Sequence, residues 1–133
     1  MSKSPESADS SADMVMKADS GDGLLIAAVS GPVSATRILE LFKEIFDTAV
    51  ARAFQEILVD CLGVTGELST RERHAVAKDV SEYVRTKQMS LKIALLGEQP
   101  VMNGVGVAIA QNRGLDVELF SDRQRALAWL ARS

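Results

Sequence analysis

The chain has 133 residues, 47% of them hydrophobic and 25% charged, the composition of one globular domain large enough for a real core. Its net charge of −3 resides in residues 1–22, with two lysines and five acids, while the other 13 basic and 13 acidic residues cancel. A near-neutral body argues against nucleic acid or an anionic membrane surface as partner, and no apolar run is long enough for membrane insertion.

Residues 1–13 are rich in Ser, Asp and Ala without apolar periodicity and read as a solvated tail ahead of a domain at 14–133. Met14–Ala18 is a weak strand, and Asp19–Gly23 supplies turn residues. Leu24–Val29 is a stronger strand that pairs with the first as an antiparallel hairpin. Gly31-Pro32 ends it, and Ser34 caps a long helix at Ala35–Ala53. The apolar positions Ile38, Leu41, Phe42, Ile45, Phe46 and Ala49 of that helix form one stripe of period 3.6.

A buried strand at Glu56–Cys61 delivers Asp60 to a glycine-broken loop. Ser69-x-x-Glu72 is then a capping box opening a helix at Thr70–Lys87, with Val76, Val80, Tyr83 and Val84 facing inward. Leu91–Leu96 is nearly all apolar, as suits a central strand covered on both faces. Met102–Arg113 reads as a short helix with Val105, Ala108, Ile109 and Asn112 aligned, stopped by Gly114. Leu115–Phe120 alternates as an edge strand, and Ser121-x-x-Gln124 caps a last helix burying Ala126, Leu127 and Leu130. The order β-β-α-β-α-β-α-β-α defines a single-domain α/β fold. Its sheet of about five strands is mixed but mostly parallel, with about four helices and right-handed crossovers.

Catalytic chemistry is poorly supplied. His74 is the one histidine and lies on a helix flank. A Ser69/His74/Asp60 triad is weakened because Ser69 is explained as a cap and five helical residues turn His74 away from it. The lone Cys61 permits no internal disulfide and beside a buried strand is a packed, inert thiol. No metal-ligand spacing occurs. Gly104-x-Gly106 matches a dinucleotide loop only in part, since Ile109 fills the third position, and helix–sheet approach explains those glycines better. Neither a catalytic residue, a cofactor nor a metal is expected. Phe42, Phe46 and Trp129 are assigned to packing. The N-terminus lacks a signal-peptide pattern, so a cytoplasmic location is expected.

The element order, Ile57-Leu-Val-Asp60 with Gly66-Glu-Leu-Ser69, and the ending Phe120-Ser-Asp122-x-x-x-Ala126-Leu-Ala-Trp129-Leu130 resemble the STAS (anti-sigma-factor antagonist-like) domains. The ending is similar to that of a divergent, uncharacterised branch sharing its fold with CRAL-TRIO lipid-binding domains. The resemblance covers about residues 14–131 and implies a non-catalytic regulatory module that docks a protein partner such as a kinase or an anti-sigma-type regulator. Those antagonists carry a phosphorylatable serine in an Asp-Ser-Ser-Gly turn at the second helix. Here Glu67-Leu-Ser-Thr70 stands there, matching one serine, Ser69, without the glycine. The expected docking surface comprises Asp60, Thr65, Glu67, Ser69, Thr70 and Arg73, with Arg71 or Arg73 near enough to assist a phosphate at the helix N-terminus. The alternative is a small apolar-ligand or lipid-binding domain, with Met102–Ile109 as one wall of its cavity. Self-association through the first strand or the last strand's edge would make a homodimer.

Overall fold

The computed structural model describes residues 12–19 and 23–132. Strands β1 (Asp13–Asp19) and β2 (Leu24–Pro32) precede helix α1 (Ala35–Ala51), then β3 (Glu56–Thr65) leads to α2 (Thr70–Thr86). Strand β4 (Lys92–Leu96), α3 (Val105–Asn112), β5 (Asp116–Phe120) and α4 (Arg123–Ala131) complete the chain in the expected order. The strands lie side by side in sequence order; β1 is antiparallel to β2, and β2 to β5 are mutually parallel. Crossovers of one hand between neighbouring parallel strands return each helix to the same face. Accordingly α1, α2 and α3 contribute to one core, with Leu25, Ile57, Val59, Ile93, Leu95 and Val117 as its sheet side. Helix α4 follows the last strand, makes no crossover, and covers Leu58, Ala94 and Leu96 on the opposite face.

Alternation explains this two-sided burial. Side chains of period 2 put Ile93 and Leu95 under the three-helix layer and Ala94 and Leu96 under α4, all within 7% exposure. The lone helix leaves part of its face open: Val15 on β1 and Leu62 on β3 are 66% and 49% exposed. The α4 C-terminus is tied to β4, for the Lys92 ammonium donates to the Trp129 carbonyl at 2.7 Å and to that of Arg132. The same ammonium lies 4.7 Å from the Trp129 ring centre, and that ring tilts against Phe120.

Several expectations change in detail. Ala12 and Asp13 belong to the folded domain, since Ala12 is buried, its carbonyl accepts from Arg37 Nε at 2.9 Å, and Asp13 opens β1. The rest of the expected 1–13 tail, residues 1–11, and the middle of the turn, residues 20–22, lie outside the described residues. Helix α2 turns Arg73, Ala77, Val80, Ser81 and Val84 inward, while Tyr83 sits at the α1 boundary with its hydroxyl donating to Asp47. Helix α3 begins only at Val105 and buries Val107 and Ala110, not Ala108 or Asn112. Asp122 caps α4 in place of Ser121, its carboxylate accepting from the Gln124 amide at 3.0 Å.

The largest departure concerns where β2 and β3 end. Both run past the positions expected to break them, β2 through Pro32 and β3 through Thr65. Ala28 pairs with Asp60 but Ser30 pairs with Gly63, so β3 carries one extra residue at this point. That is a β-bulge. The Asp60 carboxylate accepts from the Leu62 amide at 3.0 Å and fastens it. The extra residue restores the inward phase, so Cys61 and Val64, three apart, are both buried. Gly63 is required by proximity, because a Cβ there would stand 2.9 Å from the Ser30 Cβ.

Candidate docking site

Among the described residues, β3 has no partner on its β4 side beyond Asp60, and β2 has none on its β1 side beyond Ser30. Ser30–Pro32 and Gly63–Thr65 therefore project as a two-stranded arm beyond the sheet body. Pro32 lacks an N–H to donate, which suits a strand end with no described partner on its β1 side. Val33 adds a bond from its amide to the Thr65 carbonyl at 2.9 Å. Gly66, at φ +82°, then turns the chain toward α2. Thr65, Glu67, Ser69 and Thr70 are all exposed there.

The start of α2 is held by the expected capping box. The Ser69 hydroxyl accepts from the Glu72 amide at 3.1 Å, and the Glu72 carboxylate accepts from the Ser69 amide at 2.9 Å. His74 is exposed, and the Asp60 carboxylate points to the α4 side, where it meets Arg123 at 3.2 Å. No hydrogen bond among the described residues joins Ser69, His74 and Asp60, so the triad does not assemble. Nor do three or more potential metal-binding side chains gather among the described residues.

Arg73 is the residue whose role differs most from expectation. Its side chain is only 8% exposed and cannot reach out to a phosphate or a partner. Nε donates to the Leu68 carbonyl at 3.0 Å, Nη1 to the Val101 carbonyl at 2.9 Å, and Nη2 to the Pro100 carbonyl at 2.8 Å. Nη1 also meets Asn103 Oδ1 at 3.3 Å, and the exposed Glu67 carboxylate lies 3.9 Å from Nη2. A planar guanidinium carries five N–H groups in a fixed fork, which suits it to three carbonyls on two separate loops. The α2 start and the β4–α3 loop thus become one surface. Sequence reasoning missed that second loop, because nothing local in residues 98–103 announces a contact 27 or more positions away.

The two glycines of the weak dinucleotide match have separate explanations. Gly104 adopts φ +86° as the residue before α3. Gly106 faces α2 rather than the sheet, its nearest neighbour for an added Cβ being the Arg73 carbonyl oxygen at 3.8 Å.

Cys61 is buried, and its thiol is pushed up to about 12 by loss of solvent and then by the neighbouring Asp60 carboxylate. A thiol that ionises more readily unfolded than folded stabilises the fold fully below the unfolded value, 9.0. That contribution is lost as pH rises through 9 toward 12. The expected result is that urea stability falls more steeply above pH 9 in the native chain than in Cys61→Ala. The thiol should also resist alkylation at pH 8 until the chain unfolds.

No protein-family model matches the chain, and no curated protein matches it. Solved structures do. An anti-sigma factor antagonist from Mycobacterium paratuberculosis superposes with a TM-score of 0.58 at 14% identity, over 92% of this chain and 97% of that one. An uncharacterised protein of the DUF3478 family with a SpoIIAA-like fold, from Shewanella loihica, gives 0.56 at 17% identity, over 91% and 94%. No helix among the described residues is long and apolar enough to cross a membrane. Strand order, helix placement and these two likenesses agree that the chain has the STAS-like α/β fold, the fold of an anti-sigma-factor antagonist.

Proposed function

We propose that the chain is a non-catalytic, cytoplasmic regulatory module that docks a protein partner through the arm tip and the start of α2. The observation carrying this reading is that Thr65, Glu67, Ser69 and Thr70 stand exposed on backbone held from behind by the capping box and the Arg73 fork. A rigid platform loses little conformational entropy on binding. The likeness to an anti-sigma factor antagonist supports a partner of the kinase or anti-sigma-regulator kind. Asp60 and Arg73 serve as positioning residues, and the contacts come from the four exposed ones with Arg71 beside them.

Ser69 is the proposed point of control. A phosphate there would put a dianion beside the Glu72 carboxylate that now accepts the Ser69 amide. Phosphorylation would therefore open the capping box and add about two negative charges to the surface presented to a partner. Ser69→Ala alone should cost about 0.5–2 kcal/mol in unfolding free energy, the usual range for a lost cap, measured by urea titration. A homodimer through an outermost strand of the sheet, β1 or β5, belongs to the same proposal and is read by sedimentation equilibrium.

Affinity capture from the source cell, followed by titration of the captured partner, tests the reading. Ser69→Glu and Arg71→Glu are expected to weaken binding by about tenfold or more, equal to about 1.4 kcal/mol, with folding retained. A partner indifferent to both variants would remove the surface. Arg73→Glu is unsuitable, since it would bury a carboxylate among carbonyl oxygens.

A further inference from the structure

We infer that the space between α1, α2, α3 and the sheet is a binding site for a small, uncharged, apolar molecule. It has a volume of about 120 Å³, with Ile93, Leu95 and Val117 as the floor and Phe46, Ala77 and Val107 among the walls. Arg73 and Met102 lie at its α2–loop side. An apolar cavity of about 150 Å³ stays dry and takes benzene or xenon, so this space has the right scale for one ring.

Polarity sets the chemical class. Among the lining residues only Arg73 and Asn103 carry polar side chains. Four of the five Arg73 guanidinium N–H groups are taken by three carbonyls and Asn103 Oδ1, and that same oxygen accepts from the Val105 amide at 3.1 Å. A water needs at least two polar partners to reside in such a space, and what remains is one Nη2 N–H with the Glu67 carboxylate 3.9 Å away and the amide nitrogen of the exposed Asn103. A carboxylate would meet a guanidinium that the Glu67 carboxylate already faces at 3.9 Å from Nη2. An apolar guest instead supplies dispersion contacts that the facing side chains now lack. The volume matches a single ring or a short branched hydrocarbon, and it is too small for a whole lipid chain. The inference stands apart from the docking proposal, since neither requires the other.

The test is a methyl-resolved NMR titration of the full chain with benzene, repeated under xenon and with benzoate. Benzene and xenon should shift the methyl signals of Ile93, Leu95 and Val107 saturably, and benzoate should bind about tenfold more weakly or not at all. Ala110→Leu, which fills the space from α3, should weaken benzene by about tenfold. Val107→Ala, which enlarges it, should admit toluene at least as tightly as benzene, and it carries the test if the filled variant fails to fold. Absence of saturable shifts at those methyls overturns the site. Binding unchanged in Val107→Ala and in a folded Ala110→Leu does the same, and equal binding of benzoate overturns the uncharged class.

Discussion

Arg73→Met is expected to lower the unfolding free energy by about 3 kcal/mol, the scale of truncating one partner of a buried charged hydrogen-bond set. Methionine keeps the packing of the aliphatic stem, so the loss isolates the guanidinium. Leu68, Val101 and Pro100 would each lose the donor that now meets their carbonyls at 2.8–3.0 Å. Part of that loss is recovered by water, because the β4–α3 loop is largely exposed, and the three bonds do not sum. Arg73→Lys separates charge from shape. An ammonium cannot span both loops as the fork does, so an intermediate loss is expected, near that of methionine if geometry dominates. Urea denaturation followed by circular dichroism gives the stability. Amide hydrogen exchange at Leu68–Ser69 and Val101–Asn103 shows whether the two loops come loose together. A stability change below about 1 kcal/mol for Arg73→Met would mean that the clasp is incidental.

Phe46→Ala should be costlier, about 3–5 kcal/mol, because a large side chain is deleted from a site that cannot collapse. Phe46 is 1% exposed on α1, its ring stacked on Phe42 at 5.8 Å between centres, and it already borders the open space beneath α2 and α3. Removing it joins a new void to an existing one. The walls are three helices anchored to the sheet at both ends, so relaxation inward is limited. Urea denaturation with an unchanged m-value would assign the whole loss to the native core. Phe42→Ala, half-buried one helical turn away, is the comparison and should cost clearly less. Both rings border the space, so equal losses for the two would mean that the deeper burial of Phe46 does not set the cost.

The long elements were legible because their patterns are periodic and local. The α1 stripe from Ile38 to Ala49 and the β4 run both match their expected environments apart from the half-buried Phe42. The Ser69–Glu72 box was legible because its partners are three residues apart. Strand ends were not. Asp60 looked like a terminus because a charged residue followed by Gly63 breaks the apolar run. In the fold, Asp60 ties a bulge and continues the strand. A one-residue bulge reverses the alternation that strand reading depends on, and only pairing with β2 reveals it. Helix α3 failed in phase for a related reason. Its apolar residues lie nearly all round, so only its packing against α2 and β5 selects Val107 and Ala110.

Of the candidate site, sequence alone located the joint after β3 and the cap that opens α2, because turn glycines and a capping box act through neighbours in the chain. It did not decide which side chains face outward. Arg73 looked like a surface cation on a charged helix, and tertiary structure buried it as the fork joining two loops. Asp60 looked like part of the docking loop, and tertiary structure turned it toward Arg123 on the other face. The apolar space is likewise a property of three helices and a sheet together. Local periodicity states which residues can be buried, whereas hydrogen-bond partners tens of residues away and the volume left between layers arise only when the chain closes on itself.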